Sequence, residues 1–384
     1  MSVYLDNSAT TRVCDEAIEK MADVMRNHYG NPSSLHAMGV DAEDIFREAR
    51  AALAEALHCA PGEVLFTSGG TESNNLAVLG GARALRRRGK RIVTSAVEHA
   101  SVLAAFKELE SEGFEAVYLE PGPDGAVRED DLKAAVTPDT VLVSMMLVNN
   151  ETGAVQPVEA ARRAVQAAGS PALIHCDAVQ AFCKIPLRPE ALGVDLLSVS
   201  SHKIHGPKGA GALYLRRGAR ILPILYGGGQ QNGLRPGTEP MPAIAGFGVA
   251  AGLASAALAR DAARMEALRG MAERALLEIP GVALNGADSP RRAPHILNFS
   301  VPGVRSETML HFLESMGVFV SSGSACSRGA RSHVLRAMGL PDARVDSSLR
   351  VSLSRFSTED DIRALAQAVA QGAKTLCRAA RPAR

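Results

Sequence analysis

DLLSVSSHKIHGPKG (195–209) is the stretch from which the fold is read. It opens on a short apolar run, passes through Ser200, Ser201, His202 and Lys203, and ends in a Gly-Pro loop. An apolar run of that length bounded by turn residues reads as a buried strand. The same pattern recurs upstream in VLFTS (64–68), RIVTS (91–95), VLVSMM (141–146) and ALIHCD (172–177). Helical patterns separate the runs, among them TESNNLAVLGGARALRRR (71–88) and HASVLAAFKELESEG (99–113). Val-, Leu- and Ile-rich strands alternating with helices predict a βαβ series, hence an α/β fold whose mainly parallel sheet is covered on both faces. Ligands of such open sheets sit beyond the carboxyl ends of the strands, so chemistry is expected in the polar residues that follow each run.

Downstream the pattern changes. An Ala-rich amphipathic stretch from Pro242 to about Ile279 predicts a bridging helix. Beyond it ILNFSVPG (296–303), VFVSSGSA (318–325) and SSLRVSLSRF (347–356) alternate with helical segments such as SETMLHFLESMG (306–317), which predicts a smaller α+β domain. A chain of 384 residues is too long for one typical core. The expected division is a large domain over 15–257 and a small domain formed by 1–14 and 258–384.

Composition narrows the partners. With 42 basic and 41 acidic side chains the net charge is +1, so no strong pull toward nucleic acid or an anionic membrane is expected. No apolar run approaches the roughly 20 residues of a spanning helix, and MSVYLDNSATTR lacks the regions of a signal peptide, so a cytoplasmic location is expected. Six cysteines (Cys14, Cys59, Cys176, Cys183, Cys326, Cys377) lie scattered without a CxxC pair, which suits reduced thiols better than a disulfide framework or a zinc site. No metal is expected.

Strand-end residues carry the chemistry. Lys203 follows the strand of the opening stretch, where burial lowers a lysine's pKa and makes its amine a nucleophile toward an aldehyde cofactor. An isolated lysine at a loop entrance is ordinarily a surface residue, and Lys208 is the nearest rival among only eight lysines. Asp177 ends ALIHCD with Gln180 three residues on. A buried carboxylate there can keep a pyridinium nitrogen protonated, although an aspartate at this place also reads as a helix cap. Ser68, Gly69, Gly70 and Thr71 precede a helix, where free N–H groups and the helix dipole suit a phosphate. A turn with capping residues has the same composition, and no nucleotide-hydrolysing P-loop motif is present. His99 follows the 91–95 strand with a ring able to stack on a planar cofactor or move a proton. Asn149, Asn150 and Glu151 follow the next, where an amide either reaches a ligand or shapes a tight turn. Cys326 stands in a small-residue loop with Arg328 and Arg331 nearby to favour its thiolate.

Together these segments resemble, along nearly the whole chain, the cysteine desulfurases of the fold-type I pyridoxal-phosphate enzymes, in the branch marked by SSGSAC. YLDNSATT (4–11), GNPSSLH (30–36), FTSGGTESNN (66–75), VNNETG (148–153), HCDAVQ (175–180), SSHKIHGPKG (200–209), GGGQQNGLRPGT (227–238) and SSGSAC (321–326) occur in the family's order. The resemblance implies Lys203 as the residue bearing pyridoxal 5'-phosphate, Asp177 at the pyridine nitrogen, Gln180 and Asn150 near the phenolic oxygen, and His99 on the ring and as acid/base. It implies Gly70, Thr71, Ser200 and His202 at the phosphate, with Thr238 reaching the phosphate of the neighbouring subunit, so that a homodimer completes the site. Arg350 matches the residue that holds the α-carboxylate of L-cysteine, with Asn150 beside the substrate, and Cys326 matches the nucleophile that takes its sulfur for an acceptor protein in iron–sulfur assembly or tRNA thiolation. Two departures stand out: the loop after Cys326 lacks the family's Glu-Pro-Ser stretch, and Gln231 stands where relatives often carry an acid. A pyridoxal-phosphate aminotransferase would use Lys203 and Asp177 equally well and leave Cys326 idle, and selenocysteine or cysteine sulfinate would engage the same cofactor machinery.

Overall fold

The computed structural model describes residues 2–286, 289, 291–322 and 331–379. Its strands are β1 (Val3–Tyr4), β2 (Val64–Thr67), β3 (Arg91–Ser95), β4 (Glu115–Leu119), β5 (Thr140–Met146), β6 (Leu173–Asp177), β7 (Leu196–Ser200), β8 (Gly211–Leu215), β9 (Ala283–Asn285), β10 (Ile296–Ser300), β11 (Val318–Phe319), β12 (Ser321–Ser322) and β13 (Ser348–Ser352). Seven of them form one sheet in the order β2-β8-β7-β6-β5-β3-β4. All the neighbours in it are parallel except β8, which runs antiparallel to both β2 and β7. Alternate residues enter separate apolar clusters: Val64 and Phe66 join one, Leu65 another, and likewise Ala212 and Tyr214 against Leu213. That alternation is what a pleated strand covered on both faces produces.

The five strands expected from the apolar runs are present, and two others complete the sheet. β4 has only half-buried side chains over most of its length, and β8 opens on a glycine, so neither shows the continuous apolar signal. Gly211 has a packing reason: a Cβ there would lie 2.6 Å from Gly69 Cα. This close approach brings the turn before the helix Gly70–Ala84 against the sheet.

The expected bridging helix is two helices, Met241–Ala256 and Leu258–Leu277, bent by 72° at their junction. The first is apolar all round rather than amphipathic, and it packs against the helices Asp15–Asn27 and Ala37–Leu57. No single helix among the described residues is long and apolar enough to cross a membrane.

A second, antiparallel sheet has the order β12-β13-β10-β9, with Leu297, Phe299, Leu349 and Val351 in its core. The start of the chain joins the two layers. β1 pairs with β11, Asp6 bridges to Ser352 of β13, and Thr11 and Cys14 donate their N–H groups to the carbonyls of His202 and His205 (both 2.9 Å). The segment between them thereby passes over the end of β7, where Lys203 stands.

Candidate active site

A cavity of about 250 Å³ opens at the carboxyl ends of the parallel strands, and Gly70, Thr71, His99, Asn150, Asp177, Gln180, Ser200, His202 and Lys203 line it. These nine come from the final residues of β6 and β7 and from the segments that follow β2, β3, β5, β6 and β7, where the sheet topology directs a ligand. A larger hollow of about 760 Å³, bounded by Arg12, Arg260, Arg355 and Phe356, lies elsewhere and contains none of the expected residues.

Lys203 closes a single 3₁₀ turn, Ser201–Lys203, and its Nζ donates to the carbonyls of Ser8 and of Ala9 (2.8 Å). Gln180 Nε2 donates to the same Ser8 carbonyl (3.0 Å). The N-terminal strap therefore fixes two cavity side chains at once. Asp177 ends β6, is buried, and accepts at both oxygens: Oδ1 from the Val179 N–H (3.0 Å) and Oδ2 from Asn74 Nδ2 (2.7 Å). His99 caps the helix Ala100–Ser111, with its Nδ1 3.2 Å from the Ser101 N–H and 2.8 Å from Ser101 Oγ.

Behind these groups lies Glu98, fully buried, whose Oε1 accepts from Ser95 Oγ (2.8 Å) and the Met146 N–H (2.7 Å). Burial pushes its carboxyl up to about 8; the Met146 N–H opposes this, the charge of Asp177 adds to it, and the Ser95 hydroxyl opposes it. His202 is lowered to about 4, first by burial and then by the charges of Lys203 and Lys208.

The two asparagines after β5 divide their tasks. Asn149 shapes the turn: its Oδ1 accepts from the N–H groups of Glu151 and Thr152 (both 2.9 Å), while its Nδ2 donates to the Val97 carbonyl (3.0 Å). Asn150 is thereby presented to the cavity. Its carbonyl accepts from Arg350 Nη1 (2.9 Å). Arg350, on β13, is buried and also pairs through Nη2 with Asp6 Oδ1 (2.8 Å), so it abuts the cavity through Asn150 rather than lining it. Its Nε has no hydrogen-bond partner among the described residues. Thr238 is exposed and lies outside the cavity.

Cys326 and Arg328 lie outside the described residues. The described segments on either side, up to residue 322 and from 331, are anchored. Ser321 of β12 is in register with Arg350 of β13. Arg331 binds both Asp342 (2.7 Å) and Asp346 (2.7 Å), so its charge is taken up by carboxylates instead of being left for a thiolate. Ser332 caps the helix His333–Ala337 by accepting from the Leu335 N–H (3.0 Å) and donates its hydroxyl proton to Glu151 Oε2. Glu151 is buried; burial pushes its carboxyl up to about 7 against the Ser332 hydrogen bond and the Arg350 charge. Gln231, at the place of the expected acid, accepts from the Phe66 N–H (2.7 Å) and donates to the Phe66 carbonyl (2.9 Å). An ionised acid could do only the first.

Sequence reasoning missed Asn74, Ser101, Glu98 and Ser8. One signal was available for Asn74: it falls four residues after Gly70, on the same face of its helix.

The site suits a planar aldehyde bearing a ring nitrogen and a phosphate. An amine and a carboxylate share one cavity. The helix Gly70–Ala84 points its N-terminal N–H groups there, and the Ser200 Oγ beside it is buried with no partner among the described residues. A Cβ on Gly70 would stand 2.7 Å from a Val179 methyl, within the cradle itself.

Comparison with known proteins agrees with this assembly. The family described as aminotransferase class-V matches residues 3–365. The cysteine desulfurase IscS of Methanosarcina thermophila is 41% identical over 363 residues, which is 94% of this chain and 89% of that protein. A solved NifS-like protein superposes with a TM-score of 0.91 at 38% identity, covering 97% of this chain and 99% of its own. The structure titled SspA in complex with cysteine gives a TM-score of 0.80 at 32% identity, over 93% of this chain and 100% of its own.

Proposed function

Because the chain belongs to the class-V aminotransferase family and is a pyridoxal-phosphate-dependent cysteine desulfurase, converting L-cysteine to L-alanine, we propose how its own residues divide that reaction. The observation that carries the proposal is the convergence of Lys203, Asp177 and His99, from three different strand ends, on one cavity beside a helix N-terminus. When bound, pyridoxal phosphate supplies an aldehyde for a Schiff base and a protonated ring that takes up electrons from the substrate α-carbon. Lys203 is the residue whose amine would hold that aldehyde, and its free amine is placed to move the substrate's α-proton. Asp177 would keep the ring nitrogen protonated, Gln180 and Asn150 would hold the phenolic oxygen, and His99 would pack on the ring. Gly70, Thr71, Ser200 and His202 would hold the phosphate, and the unpartnered Ser200 hydroxyl supports that assignment.

Arg350, behind Asn150, would exchange its Asp6 and Asn150 contacts for the substrate carboxylate, and its buried Nε has no protein partner among the described residues. The Cys326 thiolate attacks the substrate sulfur. An S–S bond forms, the Cβ–S bond breaks with its electron pair passing to Cβ, and His99 serves as the acid/base beside the departing sulfur. Cβ then takes up a proton, the α-proton moved by Lys203 is returned, alanine leaves, and Cys326 retains the transferred sulfur as a persulfide for an acceptor protein in iron–sulfur assembly or tRNA thiolation. The solved SspA is in complex with cysteine, which favours the same substrate here.

A homodimer in the cytoplasm belongs to the same proposal. Thr238 is exposed on its own chain, as an arm reaching a neighbour's phosphate must be. Large apolar side chains are exposed in two short segments, Tyr29, Leu35, Met38 and Val40 in one and Leu222, Leu225 and Tyr226 in the other, which is the surface a second copy would cover.

The test uses Cys326→Ala and Lys203→Ala. The first should retain the cofactor's absorbance and form no persulfide, and unchanged sulfur release would remove Cys326 from the proposal. The second should abolish the adduct trapped by borohydride; a persisting adduct would move the Schiff base to another lysine such as Lys208.

A further inference from the structure

Two buried residues, Asn74 and Ser101, connect the carboxylate at one side of the cavity to the imidazole at the other. Asn74 Nδ2 lies 2.7 Å from Asp177 Oδ2 and 2.9 Å from Ser101 Oγ, and Ser101 Oγ lies 2.8 Å from His99 Nδ1. Asn74, Ser101 and Asp177 are each buried, so water does not compete freely for these contacts.

Hydrogen-bond polarity fixes the Asp177 end of this chain when Asp177 is a carboxylate, and the Ser101 backbone N–H fixes its His99 end. Both Asp177 oxygens are then acceptors, so Asn74 must turn its NH₂ group toward Oδ2. One N–H of that group serves Asp177, and the other points at Ser101 Oγ. The amide cannot turn over without setting its carbonyl oxygen against the carboxylate. Asn74 Oδ1, accordingly, is buried with no partner among the described residues. Ser101 Oγ accepts from Asn74 and retains one proton of its own to offer His99 Nδ1. The Ser101 backbone N–H, 3.2 Å from the same nitrogen, has the same polarity. Nδ1 of the neutral imidazole is thus an acceptor, and the ring proton resides on Nε2.

We infer that Asn74 and Ser101 are positioning residues that transmit the charge of Asp177 to His99 and fix its neutral ring in the Nε2–H tautomer. The inference rests on the proposed roles of Asp177 and His99 and adds the means by which one sets the other. It assigns a function to two buried polar side chains, Asn74 in the cavity wall and Ser101 behind it. It also gives His99 a defined direction: the ring nitrogen not engaged by Ser101 carries a proton and donates.

The test is nitrogen NMR of the holoenzyme labelled at histidine, with the His99 signals assigned by their loss in His99→Gln. Above the pH at which the ring becomes neutral, the wild-type Nδ1 should have the shift of an unprotonated, acceptor nitrogen. Asn74→Leu frees the Ser101 hydroxyl to rotate, and Ser101→Ala removes it. Either should bring a measurable population of the Nδ1–H form, whereas Ser101→Thr, which keeps the hydroxyl, should restore the wild-type signal. Loss of one hydrogen bond in this chain should lower kcat/KM by about three- to tenfold. A wild-type ring protonated at Nδ1 in its neutral form, or wild-type tautomer signals in both Asn74→Leu and Ser101→Ala, would overturn the inference. The readout needs no turnover, so it separates failure here from failure of the Cys326 assignment, which shows only in persulfide formation.

Discussion

Replacing Glu98 with glutamine isolates a single buried proton. The side chain is fully enclosed, one oxygen accepts two hydrogen bonds, and the other is buried with no partner among the described residues. Burial raises its carboxyl from the ordinary 4.5 to about 8. In the folded protein the group is protonated across the range in which the unfolded chain has it ionised. The sign follows: its contribution to stability is complete below pH of about 4.5 and is lost as pH rises through about 8. At about 1.4 kcal/mol per unit of pH, and allowing for partial ionisation near the upper end, roughly 2 kcal/mol is lost between pH 6 and pH 8. Glutamine has the same shape and no proton to lose. Its Oε1 can keep the Ser95 and Met146 hydrogen bonds, and its NH₂ occupies the place of the unpartnered oxygen. Urea unfolding of the two holoenzymes at pH 6, 7 and 8 should therefore show the stability difference moving in favour of Glu98→Gln by roughly 2 kcal/mol over the series. Parallel pH dependences in the two proteins would refute the reasoning, because contributions common to both cancel in the difference.

Three further outcomes are expected. Ser332→Ala removes both the cap of the helix His333–Ala337 and the hydrogen bond to Glu151; it should cost about 1–2 kcal/mol in unfolding and slow persulfide formation on Cys326 in single-turnover assays. Arg235→Leu leaves Glu72 without its cation at 2.9 Å and should destabilise the protein by about 2 kcal/mol near neutrality. Burial raises the Glu72 carboxyl, but the Arg235 and Ser68 hydrogen bonds outweigh it and leave a net lowering, so the penalty measured by unfolding should disappear as pH falls below the ordinary carboxylate range. Arg350→Lys replaces a fork held by Asp6 and Asn150 with a point charge, and kcat/KM for cysteine should fall by about ten- to a hundredfold in steady-state alanine formation.

Much of the site was legible because strand-end chemistry is local in sequence. Asp177 and Lys203 each follow an apolar run directly, and a parallel sheet brings the ends of its strands together whatever their separation along the chain. The VNNETG turn was only half legible. Both asparagines are compatible with a turn or a ligand, and only the folded contacts assign the Asn149 side chain to the turn and Asn150 to the cavity. Arg331 was read as a support for the thiolate, and the structure gives it to Asp342 and Asp346, which stand 11 and 15 residues further on.

The sequence by itself determined the α/β architecture, the order of the strands that end in functional residues, and the family, because periodicity and short motifs survive without knowledge of contacts. Only the tertiary structure decided which polar side chains face one another. Asn74 meets Asp177 across 103 residues, Ser332 meets Glu151 across 181, and Arg350 meets Asp6 across 344. No periodicity encodes such pairs. They depend on sheet order, on register, and on the N-terminal strap that lies across β7, and those are properties of the packed chain rather than of any segment within it.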